Sequence, residues 1–439
     1  MAKAIETAKV YLWDTQIGAV AWNEQAKAAT FAYTDDFSKT GIQPSPIHMP
    51  TSKGRKETFT FRNLGRETYS GLPGMLADAL PDKFGNALIN LWLAKNGRAE
   101  DSMNPVEKLL YMGNRSMGAL EFRPAIRKAT SKAVDVNMQE LLELTNSIMH
   151  QKSKLDVNAC DDEALTSILQ VGTSAGGARP KGVVAIHEKS GHIISGQAAI
   201  PDHYQHWIIK FDGVSDMELG EPQGYGRIEY AYHLMAKAAG IDMTECKLWE
   251  EGGRAHFMTR RFDRKGNKKI HMQSLCGIAH YDFNMAGSYS YEQALMVMQQ
   301  IGLPKAEISQ LYRRMVFNIV SRNQDDHTKN IAFLMTSDGT WKLSPAFDVT
   351  YSHNPAGVWT NQHQMRAAGK RDDFSRDDLV KVGKDFSLPH PESVIDMVTA
   401  AASNWPIYAE SAGVPESTAK EIGSAHRRYL AKKTRAGRN

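Results

Sequence analysis

Ser321-Arg-Asn-Gln-Asp-Asp-His-Thr-Lys-Asn330, followed by Pro345-Ala-Phe-Asp348-Val, is the stretch on which the reading of this chain turns. Asp325 and Asn330 stand five positions apart, and Asp348 supplies a second acidic site. ATP-dependent phosphoryl transfer needs a carboxylate that takes or orients the acceptor hydroxyl, an Asn on Mg²⁺, and a later Asp that holds the metal against the phosphates. The Asp-x₄-Asn spacing is that of the protein-kinase catalytic loop. Asp326 lacks that spacing, so Asp325 is the candidate base, with Asn330 and Asp348 as candidate metal ligands. His327 and Lys329 are interleaved with them. They either contact the transferred phosphoryl group or orient Asp325 and satisfy local backbone groups, and the sequence leaves both open.

Phosphate-handling parts are expected upstream. Val171-Gly-Thr-Ser-Ala-Gly-Gly-Ala-Arg-Pro-Lys181 offers Gly172, Gly176 and Gly177 for close backbone approach to phosphate oxygens. It matches neither G-x-x-x-x-G-K-[ST] nor G-x-G-x-x-G, so on its own it also reads as a surface turn. Lys210 ends an aromatic and β-branched strand, Gln205-His-Trp-Ile-Ile-Lys-Phe211, where a kinase places its phosphate-facing lysine. Glu229 on the next helix is a possible partner for it. In Arg260-Arg-Phe-Asp-Arg264, Phe262 either packs on an adenine ring or in the core, and Asp263 and Arg264 are able to pair with each other.

Periodicity gives the organisation. Lys9–Asp14 and Ile17–Trp22 read as a hairpin, and Ala29–Tyr33 and Glu57–Phe61 as further strands. Met75–Leu93 is helical in pattern, with Pro81 implying a break or a first-turn position. A polar stretch, Asn96–Pro105, separates this unit from helices at Val136–Gln151 and Asp162–Gln170. Strands follow at Lys181–Ile186, Gln205–Phe211, Cys246–Glu250 and Ala255–Thr259, with a helix over Arg227–Ala239 ending at Gly240. Beyond residue 264 the chain is mainly helical: Tyr291–Ile301, Lys305–Ser321, Asp377–Lys384, Ser393–Ser403 and Glu416–Lys433, with a short strand at Ile331–Met335. The expected class is α/β (α+β), a two-lobed kinase-like fold. It would comprise a β-rich N-terminal domain over 1–115, a small lobe over 116–262 and a helical lobe over 263–439.

Bulk properties narrow the function. With 42% hydrophobic residues, and 53 basic against 49 acidic, the chain carries a formal charge of +4, too little to argue nucleic-acid binding by itself. The basic tail from His426 onward is read either as a contact for a phosphate backbone or as a solvated helix end. Three scattered cysteines give neither a disulfide framework nor a zinc pattern. No 18-residue apolar run or signal-like start is visible, so a soluble cytoplasmic protein is expected.

Taken in order, Ser174-Ala-Gly-Gly-Ala-Arg-Pro-Lys181, Trp207-Ile-Ile-Lys210, Arg261-Phe-Asp-Arg264, Asn323–Asn330 and Leu343-Ser-Pro-Ala-Phe-Asp348 resemble the HipA-type serine/threonine kinase toxins of bacterial toxin–antitoxin systems. Ser70-Gly-Leu-Pro-Gly-Met-Leu-Ala-Asp-Ala-Leu-Pro81 resembles that family's first domain. The resemblance implies an α/β kinase fold with ATP and Mg²⁺ at Lys210, Asn330 and Asp348, and Asp325 as catalytic residue. With the candidates read from the residues themselves, the expected ATP-binding set is Gly176, Gly177, Lys181, Lys210, Phe262, His327 and Lys329. The resemblance also implies that Ser174 is phosphorylated by the enzyme itself, a charge of about −1.5 to −2 that would eject the loop from a site built for phosphates. It further implies a helix-turn-helix, HipB-like antitoxin, operator DNA reached through the antitoxin complex, and an aminoacyl-tRNA synthetase as protein substrate. Two features depart from the family's pattern: Arg260 in place of an acidic residue, and Arg-Pro in the loop. A lipid or small-molecule kinase on a related fold, or a DNA-bound co-repressor with secondary kinase activity, are the competing readings.

Overall fold

A computed structural model of the chain describes residues 5–52, 57–126, 133–150, 171, 179–213 and 224–432. Ser174, Gly176, Gly177, Cys160 and the helix expected over 162–170 lie outside these residues. The chain divides into two units. The first comprises residues 1–226, 245–282 and 333–340, and the second 227–244, 283–332 and 341–439.

The first unit holds two five-stranded sheets. One has the order β4-β3-β2-β1-β5, with β1 (Thr7–Leu12), β2 (Thr15–Asn23), β3 (Ala28–Tyr33), β4 (Thr58–Thr60) and β5 (Leu120–Arg123). Its pairs are antiparallel. Buried and exposed residues alternate along β1, the sign of a sheet with one wet face. The Met75–Leu93 expectation resolves into helices Gly74–Ala77 and Lys83–Lys95, with Pro81 in the break. The polar stretch before Pro105 ends as a helix start: Asn104 caps helix Pro105–Met112, with Glu107 completing a capping box and Pro105 at the first turn.

The second sheet has the order β7-β6-β8-β10-β9, with β6 (Lys181–His187), β7 (Ile193–Ser195), β8 (Tyr204–Lys210), β9 (Cys246–Glu251) and β10 (Arg254–Arg260). β6 is buried along almost its whole length, as expected of a strand covered on both faces. Phe84, Leu88 and Leu91 of helix Lys83–Lys95 share one core with Val184, Ile186, Trp207, Ile209 and Met258. Each such side chain contributes about 1.5–3 kcal/mol by burial.

The Arg261–Arg264 segment is a structural knot. Asp263 is fully buried and accepts from Arg261 Nε (2.9 Å) and Nη2 (2.7 Å), Arg264 Nη1 (2.8 Å) and the Gly118 amide (2.8 Å). Gly118 has a φ of +75°, and a Cβ there would lie 2.9 Å from the Met272 amide nitrogen, so only glycine suits the approach. Burial alone would raise the Asp263 pKa; the two guanidiniums outweigh it and hold the carboxyl below the ordinary range.

The second unit is helical around Lys305–Ser321, a 17-residue helix burying Leu311, Met315, Val316, Ile319 and Val320. Helices Tyr291–Gln300, Arg376–Asp385, Pro391–Ser403, Trp405–Ser411 and Glu416–Ala425 accompany it. Helix Tyr225–Ala238 ends at Gly240, whose φ of +77° makes it the expected left-handed terminus.

The C-terminal expectation is corrected. The helix stops at Ala425, His426 is extended, and a short 3₁₀ turn spans Arg428–Leu430. Arg427 is not part of a basic surface. It is 1% exposed and donates to Ile319 O (2.6 Å), His363 Nε2 (3.0 Å) and Asp372. Charge composition suggested a solvated end, but backbone and side-chain acceptors inside the fold claim the guanidinium.

Candidate active site

Helix Lys305–Ser321 delivers the chain into 323–330 through Arg322, which takes a left-handed conformation (φ +60°). The segment is tied to the chain after Asp348 by an isolated parallel bridge: Gln324 N donates to Ser352 O (3.1 Å) and Ser352 N to Arg322 O (3.2 Å). Asp348 is itself set by a bridge from Ala346 N to Asp242 O (2.8 Å). Thr328–Asn330 form one 3₁₀ turn.

The two consecutive aspartates have different surroundings. Asp326 is buried and accepts from Gln364 N (2.7 Å), Tyr291 Oη (2.8 Å) and His363 Nδ1 (2.9 Å). Arg427 can only donate, so His363 Nε2 accepts from it and the ring proton sits on Nδ1, facing Asp326. Burial would raise the Asp326 pKa, but His363, Tyr291 and the Gln364 amide hold it below the usual aspartate value. Buried and held by three donors, Asp326 is a structural carboxylate. Asp325 keeps 40% of its side chain exposed. Its Oδ1 accepts from Trp359 Nε1 at 2.6 Å, and His327 Nε2 lies 3.8 Å away. Desolvation raises its pKa; His327 and the Trp359 bond pull it down, and Asp348 and Asp326 push it up again. An accessible carboxylate with spare acceptor capacity suits a group that receives a hydroxyl proton.

Asn330 Nδ2 donates to the Asp325 carbonyl (2.9 Å), which fixes the amide and leaves Oδ1 as the atom able to meet a cation. Asn330, Asp326, His327 and Asp348 line one small cavity of about 20 Å³, with Tyr291, Arg314 and Asn318 on its other walls. Asp348 holds its place with a left-handed φ of +52°, a conformation that Asp tolerates better than most residues. One carboxylate and one amide oxygen fit Mg²⁺, which takes few protein ligands and completes its shell with water and phosphate. Among the described residues no group of three or more His, Cys, Asp or Glu could hold a metal. Phe283 packs beneath the loop, 5.3 Å from the His327 ring and 4.5 Å from Lys329 Nζ.

The remaining candidates lie in the first unit. Lys181 opens β6 and stands in register opposite Lys210 at the end of β8, with Phe257 of β10 opposite Lys210 on its other side. Cross-strand partners share a face, so the two lysines form one row. Lys181 is buried, and Lys210 Nζ lies 5.7 Å from the Phe257 ring. Phe262 is half-buried in the turn after β10.

Tyr291, Trp359, His363 and Gln364 were not singled out from the sequence. They come from distant positions and carry no spacing signature; the only cue was a polar, aromatic-containing stretch soon after Asp348.

Known proteins resemble the chain in sequence and in fold. The description "HipA-like C-terminal domain" matches residues 173–406, and "HipA N-terminal domain" matches residues 8–123. Two curated relatives carry the name "Putative kinase". Y4dM of Sinorhizobium fredii is 26% identical over 33% of this chain, and a Haemophilus influenzae protein is 28% identical over 27%. The matched stretches cover only 36% and 39% of those relatives. In fold, the chain is similar to HipA of Shewanella oneidensis, solved with HipB and its operator DNA. The TM-score is 0.66 at 16% identity, covering 96% of this chain and 95% of that one. Among the described residues no helix is long and apolar enough to cross a membrane.

Proposed function

The chain belongs to the HipA family, and from that premise we propose that it is an ATP- and Mg²⁺-dependent protein serine/threonine kinase, the toxin of a toxin–antitoxin pair. The observation that carries the reading is the division of labour between neighbouring aspartates: Asp326 is buried and held by three donors, while Asp325 is part-exposed and its carbonyl holds the Asn330 amide. Asp325 accepts the hydrogen bond of the incoming hydroxyl and takes its proton. Asn330 Oδ1 and the Asp348 carboxylate would hold Mg²⁺, which neutralises charge on the phosphates when bound. The row formed by Lys181 and Lys210 offers two cationic groups to phosphate oxygens. His327 and Lys329 flank Asp325, and Phe262 is the candidate for stacking on adenine. Gly176 and Gly177 are the candidates for backbone contacts to phosphate.

Ser174 is proposed as the site of self-phosphorylation and an aminoacyl-tRNA synthetase as the protein substrate. By the likeness to the Shewanella complex, a HipB-like antitoxin is the proposed partner, with operator DNA bound through it and the cytoplasm as compartment. The test is incubation of the purified chain with ATP and Mg²⁺, alone and with aminoacyl-tRNA synthetases, followed by phosphosite mapping. Phosphoserine at Ser174 or on a synthetase is the expected result. Transfer only to lipids or small molecules, or retention of antitoxin-bound DNA without any phosphate transfer, would replace the protein-kinase reading.

A further inference from the structure

Both aspartates of the catalytic loop grip one later segment, residues 359–364, from opposite ends. Asp326 holds the far end through Gln364 N (2.7 Å) and His363 Nδ1 (2.9 Å). The near end returns to Asp325, where the indole N–H of Trp359 donates to Oδ1 at 2.6 Å. Gln364 closes the loop on itself, its side-chain amide donating to the Trp359 carbonyl. His363 is in turn backed by Arg427 at 3.0 Å. Trp359 is thus anchored from its own backbone and is not a free surface ring, although 36% of it remains exposed and its neighbour Val358 is 98% exposed.

We propose that Trp359 is a positioning residue for the acceptor carboxylate: its N–H ties down Oδ1 of Asp325 and leaves Oδ2 to the incoming hydroxyl. The inference rests on Asp325 being the base, as proposed above. A carboxylate has about four lone-pair sites and an aspartate rotates about two side-chain torsions. A single strong donor on one oxygen fixes which oxygen faces the cleft. Charge-assisted bonds of this length are the strong ones. The ring also stands 6.5 Å from His327, so Trp359 and His327 wall the same side of Asp325. The exposed edge of Trp359, with Val358 beside it, faces whatever carries the hydroxyl, so the acceptor rather than ATP is expected to sense its loss.

The test compares full-length wild type with Trp359→Phe, which keeps an aromatic ring and removes the donor, and with Asp325→Asn. Two readouts are combined. In the indole region of a ¹H–¹⁵N spectrum, the Trp359 signal, identified by its loss in Trp359→Phe, moves in Asp325→Asn, because its acceptor loses charge. In phosphate transfer from ATP to the chain itself or to an aminoacyl-tRNA synthetase, Trp359→Phe lowers kcat about tenfold and leaves the KM for ATP within about twofold, the scale of one lost hydrogen bond in a transition state. Trp359→Ala gives a loss at least as large. If the Trp359 signal stays in place in Asp325→Asn and kcat of Trp359→Phe equals that of wild type, the positioning role is overturned while the kinase stands. If wild type transfers no phosphate at all, the kinase reading fails and takes this role with it.

Discussion

Removing the Asp326 carboxyl by Asp326→Ala strips three donors of their acceptor: the Tyr291 hydroxyl, the His363 Nδ1–H and the Gln364 amide. Each hydrogen bond to a charged group contributes about 1.5–3 kcal/mol, and an unmet buried donor costs about 1–3 kcal/mol. With water reaching some of the vacated space, the net loss for the helical unit is about 3–5 kcal/mol. At roughly 2–4 °C per kcal/mol for a unit of 150–250 residues, its melting transition should fall by about 6–20 °C. Because the chain has two units, the transition must be followed locally, for example by hydrogen exchange in helix Lys305–Ser321 during thermal or urea unfolding. Asp326→Asn, which keeps one acceptor oxygen, should lose less. The pH dependence carries a sign. The folded pKa of Asp326 is lowered, so its contribution is complete above the unfolded value of about 3.9 and is lost as pH falls through the lower folded value. The acid sensitivity of this unit should therefore weaken in Asp326→Ala. A melting temperature within about 2 °C of wild type would refute the claim that Asp326 is the structural carboxylate of the pair.

Other outcomes follow from the same contacts. Asp263→Ala leaves Arg261 and Arg264 buried without their carboxylate and should cost about 3–5 kcal/mol in the first unit, read by urea unfolding. Arg427→Ala should lower the stability of the second unit by about 2–4 kcal/mol, whereas Arg428→Ala, at an exposed position, should stay within about 0.5 kcal/mol. Asp348→Asn keeps a residue suited to φ +52° but removes the charge, so the Mg²⁺ concentration for half-maximal phosphate transfer should rise at least about tenfold.

How much of this was legible beforehand depended on range. The Asp325, Asn330 and Asp348 constellation could be read because its parts are close in sequence and the chemistry fixes their order; in the structure Asn330 and Asp348 line one cavity, and the Asn330 amide bonds the Asp325 carbonyl beside it. The antiparallel strands flanking Lys181 and Lys210 were equally visible from their β-branched and aromatic runs, and their pairing sets the two lysines in register. What escaped was pairing over distance. Trp359 meets Asp325 and Arg427 meets His363 across 34 and 64 positions, and no local pattern marks either contact. Asn104-Pro105 misled for another reason: the same dipeptide that punctuates loops also starts helices, and only the Glu107 that completes the box tells them apart.

The account's central claim is that Asp325, and not Asp326, serves the acceptor hydroxyl. The direct measurement is the single-turnover rate of phosphate transfer from ATP with Mg²⁺ in Asp325→Asn, at saturating nucleotide and with folding verified. A fall of about 10²–10⁴-fold with ATP still bound is the predicted result. A rate within about tenfold of wild type would contradict it.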